Sequence, residues 1–201
     1  VDRILAKVES DPETEETKRI EKNLWLKIRD KSVQGRRMGI GITAEGDMLA
    51  ALGLRYGSDE AIEFSTKVHK TLACEAYNSS ADLAVERGAF PIYDYNLEKD
   101  NPFITRLGEA NPEIIEKFKK NGRRNIALLT IAPTGSVSIC TQTTSGIEPA
   151  FMIYYTRRKK INPNEKDQRV DFVDKTGDSF QEFKVFHHKF LTWLETQGHN
   201  I

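Results

Sequence analysis

The sequence predicts an α/β protein that is rich in helices and has a few short strands. Residues 126–131 form a short apolar run bounded by Asn125 and Pro133, which is typical of a buried strand. Glycine and isoleucine alternate over residues 38–42, which indicates a second strand against which another backbone or a ligand packs closely. Apolar residues recur at helical spacing through much of the remaining chain.

Two helices are predicted between Asp11 and Leu52, the first of them amphipathic. Asp11 suits an N-cap and Pro12 a first helical position, so a helix is predicted from there to about Lys31. Its apolar stripe consists of Ile20, Leu24 and Ile28. Thr43 is predicted to cap a shorter helix over residues 44–52.

The longest predicted helix runs from Ser58 to about Arg87, and Gly88 ends it. Its buried side is predicted to carry Phe64, Val68, Leu72, Ala76, Leu83 and Ala84. The two Asn-Pro pairs within residues 91–112 favour a long loop, which a short helix over 113–120 follows.

The C-terminal part predicts a strand, a polar excursion and a final helix. The strand covers the apolar residues 151–155, and the excursion covers about 161–177. A helix capped by Ser179 is predicted from the spacing of Phe183, Phe186, Phe190, Leu191 and Leu194.

One stretch has the pattern of a phosphate site. The predicted strand at 126–131 leads through the turn Pro133-Thr-Gly-Ser136 into a predicted helix from Val137. The first N–H groups of a helix have no intrahelical partner and attract anions, and Gly135 lets a ligand approach the backbone. The alternative is an ordinary strand-to-helix connection with Ser or Thr as N-cap. No Gly-Lys-Ser/Thr follows, so the turn is not a P-loop.

Other polar residues have structural as well as functional explanations. Arg36 and Arg37 are suited to a phosphate, but also to capping carbonyls or forming ion pairs. Adjacent residues on a helix point about 100° apart, so His187 and His188 do not favour a metal site, and no metal is expected. Glu148 is expected to order its loop by accepting N–H bonds.

Composition excludes several functions. The 201 residues carry 30 basic and 30 acidic side chains, which gives no reason to expect nucleic-acid binding. No apolar run is long enough to span a membrane.

Cys74 and Cys140 are too few for a disulfide framework and indicate a cytoplasmic setting. A redox pair is the alternative to a structural role. The start at Val1 suggests a piece of a longer protein.

Several motifs together resemble the catalytic subunit of ribonucleotide reductase, most closely its adenosylcobalamin-dependent class II form. They are Gly35-Arg-Arg-Met-Gly-Ile-Gly-Ile-Thr43, Gly46-Asp-Met-Leu-Ala-Ala-Leu-Gly-Leu-Arg-Tyr56, Arg87-Gly-Ala-Phe-Pro91, Leu129-Thr-Ile-Ala-Pro-Thr-Gly-Ser-Val-Ser138, Thr144-Ser-Gly-Ile-Glu-Pro-Ala-Phe151 and Tyr155-Thr-Arg-Arg158. They follow the family's order through most of the chain.

The resemblance implies that residues 1–201 are a single segment of a ten-stranded α/β barrel. It implies a radical-based reduction of ribonucleotides to deoxyribonucleotides, with adenosylcobalamin bound by the whole enzyme. The implied partners are the ribonucleotide, the remaining barrel segments, a thiol reductant such as thioredoxin, and a second copy in a homodimer. The residues implied to bind substrate phosphate are Ala132, Pro133, Thr134, Gly135, Ser136, Val137 and Ser138.

The family's radical motif, Asn-x-Cys-x-Glu, is absent from this sequence. Neither Cys74 nor Cys140 lies in that context, so no catalytic residue is assigned and the segment is expected to be inactive alone. One alternative is a non-redox module that binds nucleotide phosphates, which predicts a closed fold. Another is a segment of a class I reductase with a separate radical subunit. A reductase fragment predicts exposed apolar surface instead.

Overall fold

The computed structural model describes residues 1–162, 164 and 168–199. In chain order, its elements are α1 (Asp2–Ser10), α2 (Glu15–Gly35), α3 (Glu45–Ala51), α4 (Asp59–Arg87), α5 (Tyr95–Glu98), α6 (Pro102–Ala110), α7 (Pro112–Asn121), α8 (Gly135–Thr141), β1 (Tyr154–Lys160), β2 (Phe172–Val173), β3 (Ser179–Phe186) and α9 (His188–Thr196). The expectation of a helix-rich chain with few short strands is therefore confirmed. None of the described helices combines the length and apolar character needed to cross a membrane.

The chain divides into two compact units. The first comprises Val1–Gly41 and Glu63–Thr130, and the second comprises Ile42–Ile62 and Ile131–Ile201.

The core of the first unit lies where α4, α6 and α7 pack together. Its buried residues are Tyr77, Ala81, Ile104, Leu107, Ile114, Phe118 and Leu128. The buried positions of α4 are Ala61, Tyr77, Ser80, Ala81 and Ala84. Phe64 and Val68 of the predicted stripe are half-buried. Leu128 brings the predicted central strand into this core.

The two predicted strands of the first unit meet in parallel. Ile40 and Leu129 form an isolated bridge, the Met38 N–H donates to the Ala127 carbonyl at 2.9 Å, and the Thr130 N–H donates to the Ile40 carbonyl at 3.0 Å. A Cβ on Gly41 would lie 2.2 Å from the Thr130 carbonyl oxygen. The predicted close approach of another backbone is confirmed, although the pairing is a bridge rather than a regular ladder.

Two predictions in the first unit were wrong. Helix α2 begins at Glu15 because the Thr14 hydroxyl accepts the Thr17 N–H, whereas Asp11 follows the end of α1. The predicted loop at 91–112 contains α5 and α6, since the side chain of Asn101 caps α6 ahead of Pro102. Asn111 caps α7 in the same way.

The second unit contains an antiparallel sheet with strand order β1-β3-β2. Tyr154 pairs with Phe186 at one end, and Lys160 pairs with Phe180 at the other. The Arg158 guanidinium donates to the carboxylate of its cross-strand partner Glu182 at 2.8 Å.

Two further predictions differ from the observed sheet. The strand predicted at 151–155 begins at Tyr154 and continues through the basic run to Lys160. The helix predicted from Ser179 is wrong because that segment is β3, and a helix starts only at His188. The predicted polar excursion contains β2, while its residues 163 and 165–167 lie outside the described residues.

Candidate functional site

The predicted phosphate site, the 132–138 loop, lies in the second unit and runs into α8. Thr134 is the N-cap of α8 and has φ 48° and ψ 25°, in the left-handed region. A β-branched residue is rarely found there, and such strain persists only where the surroundings hold it. The contacts of Thr134 must therefore hold it in this conformation.

A chain of hydrogen bonds holds Thr134. The Gly146 N–H donates to the Thr134 hydroxyl at 2.6 Å, and that hydroxyl lies 3.1 Å from the Thr43 hydroxyl. The Thr43 hydroxyl can also donate to the Thr144 carbonyl, which lies 3.4 Å away. Either hydroxyl can donate in the bond between the two threonines.

The first turn of α3 fixes the loop that follows α8. The Thr144 N–H donates to the Asp47 carboxylate at 3.0 Å, and the Asp47 N–H donates to the Thr144 hydroxyl at 3.2 Å. The ring of His187 approaches the same carboxylate at 3.4 Å. A Cβ on Gly46 would lie 2.5 Å from the Glu148 carbonyl oxygen, so the two backbones meet without room for a side chain.

The tip of the 132–138 loop faces solvent. Pro133, Gly135, Ser136 and Val137 are exposed, whereas Ala132, Thr134 and Ser138 are half-buried. A Cβ built on Gly135 would meet nothing within 4 Å. The open space at the start of α8 is therefore accessible to a ligand.

The hydroxyl groups of the loop differ in availability. The Ser138 hydroxyl donates to the Gly135 carbonyl at 2.7 Å, and the Thr134 hydroxyl is bonded to the Thr43 hydroxyl and the Gly146 N–H. Among the three predicted hydroxyl donors, Ser136 is exposed and has no hydrogen bond of its side chain in the described part of the chain. Donation to an anion then falls to Ser136 and to the first backbone N–H groups of α8.

The residues that hold the loop in place were not predicted from the sequence. Thr43 was expected to cap α3, but the N-cap is Ala44, and the Thr43 side chain contacts a residue 91 positions later. Asp47 and Thr144 are likewise 97 positions apart. Local spacing carries no signal for such distant partners.

The other candidate residues have structural roles where the structure defines them. Arg36 donates to the Ala89 carbonyl at 2.7 Å, as the alternative explanation for this pair expected. Cys74 packs against the core of the first unit, and Cys140 is exposed on α8. His187 is the N-cap of α9 and His188 its first residue. The described residues contain no group of three or more side chains suited to a metal ion.

Comparison with known proteins places these features in a family. A family model described as the ribonucleotide reductase barrel domain matches residues 19–187. The vitamin B12-dependent ribonucleoside-diphosphate reductase of Mycobacterium tuberculosis is 35% identical over 122 residues, which is 61% of this chain and 15% of that protein. The enzyme of the same name from Thermoplasma acidophilum is 34% identical over 122 residues, or 61% of this chain and 14% of that protein.

A relative with a different name is nearly as similar. The ribonucleoside-diphosphate reductase subunit alpha of Helicobacter pylori is 31% identical over 141 residues, which is 62% of this chain and 18% of that protein. The chain therefore spans between 14% and 18% of the length of these relatives.

Proposed function

This chain belongs to the ribonucleotide reductase barrel-domain family, and from that premise we propose that it forms part of a ribonucleotide reductase. The whole enzyme reduces ribonucleotides to deoxyribonucleotides for DNA synthesis by radical chemistry. The names of the relatives support a ribonucleoside diphosphate as substrate. In this proposal the 132–138 loop binds the substrate phosphates.

One observation carries the assignment of the loop. The strained backbone of Thr134 is held by Thr43 and Gly146, and it exposes the first turn of α8 together with Ser136. Backbone N–H groups that point into open space suit phosphate oxygens, and the helix dipole favours their negative charge. The loop therefore contributes binding and orientation of the substrate, and this chain supplies no reacting thiol.

Exposed apolar side chains favour an enzyme segment over a closed binding module. Ile20 and Leu24, on the predicted stripe of α2, are 59% and 54% exposed, and Ile40 at the parallel bridge is also exposed. A self-contained monomer rarely leaves such rows uncovered. We propose that the remaining segments of a ten-stranded barrel cover them.

The relatives named vitamin B12-dependent support cobalamin as the cofactor of the whole enzyme. The described residues of this chain do not fit a corrin ring. The cleft they form beside α2 is walled by arginines, and the tip of the 132–138 loop is exposed rather than enclosed. We therefore derive no step through cobalamin. We also propose that the whole enzyme is a cytoplasmic homodimer that receives electrons from a thiol reductant such as thioredoxin.

Substitution of Gly135 tests the loop in the complete reductase. Gly135 has no neighbour within 4 Å of a built Cβ, so Gly135→Ala and Gly135→Val should fold normally and crowd only a ligand. Because phosphate contacts of this kind bind substrate and transition state alike, we expect a higher KM for the ribonucleoside diphosphate, with kcat less affected. The increase should be larger for valine.

Ala50→Val is the matched control, because Ala50 is exposed on the similarly short α3 in the same unit. It should leave KM unchanged. An unchanged KM in both Gly135 variants would remove the loop from the substrate site, and a complete enzyme without reductase activity would contradict the proposed function itself.

A further inference from the structure

An open cleft of about 520 Å³ lies in the first unit, beside the C-terminal half of α2. Four guanidinium groups line it: Arg29, Arg36, Arg37 and Arg124. The proposed function above uses none of them.

The positive charge of the cleft is poorly compensated. Asp2 is the acidic residue of its lining, and its carboxylate lies 3.4 Å from the Arg29 guanidinium. The hydrogen bonds of the other arginines go to neutral groups: Arg36 donates to the Ala89 carbonyl, and Arg124 donates to the carbonyls of Arg87 and Gly88.

The crowding of cations is also visible at Arg124. Burial, and then the neighbouring charges of Arg36 and Arg87, lower the pKa of Arg124 below its ordinary value. A bound anion would relieve this repulsion.

Two apolar side chains lie among the arginines. Val33 and Met38 line the same cleft and are 52% and 56% exposed. A ligand that matches both the arginines and the apolar side chains has an anionic group attached to an apolar part. The volume is within the range of pockets that bind small organic molecules.

We propose that this cleft binds an organic phosphate, with the phosphate held by Arg36, Arg37 and Arg124 and the apolar part against Val33 and Met38. Guanidinium groups present paired N–H donors that match phosphate oxygens, which favours phosphate over a spherical anion. Arg37 is the principal contact, because it is exposed and its side chain has no hydrogen bond or ion pair in the described part of the chain.

The test is a titration of the full chain with 1-naphthyl phosphate, followed by its fluorescence, beside inorganic phosphate and 1-naphthol. We expect saturable binding of naphthyl phosphate that is about tenfold tighter than that of either part alone. Arg37→Gln should weaken it about tenfold, the effect of losing one charge-assisted contact. Added salt should weaken it further.

Two controls separate this site from other anion binding. Arg19→Gln removes the same charge from α2 about 15 Å along the helix from Arg29 and should change nothing. Gly135→Val should also leave naphthyl phosphate binding intact, so that failure of the substrate loop and failure of this cleft are distinguishable. No saturable binding, equal binding of naphthol, or unchanged affinity in Arg37→Gln would overturn the proposal.

Discussion

Arg123 and Glu98 form an ion pair that is almost entirely buried, with side chains 4% and 17% exposed. The Arg123 guanidinium also donates to the carbonyls of Asn125 at 3.0 Å and Ile126 at 3.1 Å. Four aromatic rings surround it, those of Tyr77, Phe90, Tyr93 and Phe118. One charged side chain thereby attaches the beginning of the central 126–130 segment to the core of the first unit.

Arg123→Met should destabilise the chain by about 3–5 kcal/mol, because it leaves the Glu98 carboxylate buried without its partner. Urea unfolding followed by circular dichroism measures the loss. Arg106→Met is the control, since Arg106 is exposed on α6, and it should have little effect. Adding Glu98→Gln to Arg123→Met should recover part of the stability, and a loss below 1 kcal/mol in the single variant would contradict this account.

Gly41→Ala should cost about 3 kcal/mol, because its Cβ would lie 2.2 Å from the Thr130 carbonyl oxygen and the paired backbones must separate. Thermal unfolding measures the change. Gly135→Ala adds the same methyl group where no atom lies within 4 Å, and it should leave the melting temperature nearly unchanged or raise it. Equal effects of the two substitutions would mean that the parallel approach is looser than the structure shows.

Elements determined by local interactions were predicted more accurately than elements determined by contacts between distant residues. The ends of α4 were predicted correctly, because acidic residues in the first turn and Gly88 after the last turn are local signals. The helix predicted from Ser179 failed because its aromatic spacing has a non-local cause. Phe186 stacks on Tyr154, and Phe180 packs on Phe172, both across strands.

The 132–138 loop shows the same difference between local signals and contacts of distant residues. Its helix was predicted from neighbouring residues to begin at Val137, and α8 begins two residues earlier, at Gly135. The groups that hold it, Thr43 and Asp47, lie roughly 90 or more positions from their partners. No local pattern in a single sequence indicates contacts of that separation.

Ala44→Gly should stabilise the chain by about 1 kcal/mol. Ala44 has φ 67°, where a Cβ is unfavourable and glycine is not. The comparison is Ala50→Gly, at an exposed position within α3, which should destabilise by about 0.5–1 kcal/mol because glycine is a poor helix former. Unfolding by guanidinium chloride distinguishes the two directions, and destabilisation by Ala44→Gly would contradict the left-handed conformation.

Thr43→Val should destabilise the chain by about 1–2 kcal/mol, because it leaves the Thr134 hydroxyl and the Thr144 carbonyl without their shared partner. It should also raise the KM for the ribonucleoside diphosphate, since Thr134 shapes the start of α8. Thr43→Ser keeps the hydroxyl and should restore KM even if the lost methyl group lowers stability. A serine variant as impaired in KM as the valine variant would show that the hydroxyl chain does not position the loop.

Stability should fall as the pH rises above about 10, in part because of Tyr93. Burial is the main cause that raises the pKa of Tyr93 in the folded chain, and the charge of Glu98 adds to it. An unfolded tyrosine ionises near pH 10. Above that pH the unfolded chain has lost a proton that the folded chain retains, so the free energy of unfolding decreases. Burial raises the pKa of Tyr77 as well, which acts in the same direction.

Tyr93→Phe should make this alkaline decline shallower, because phenylalanine has no proton to lose. At neutral pH it should cost about 1 kcal/mol, since the Tyr93 hydroxyl donates to the Phe118 carbonyl at 2.8 Å. Urea unfolding at several values between pH 8 and about 11 measures both effects. Tyr56→Phe is the control, because Tyr56 is exposed. Parallel pH profiles for Tyr93→Phe and the parent chain would show that Tyr93 ionises as readily folded as unfolded.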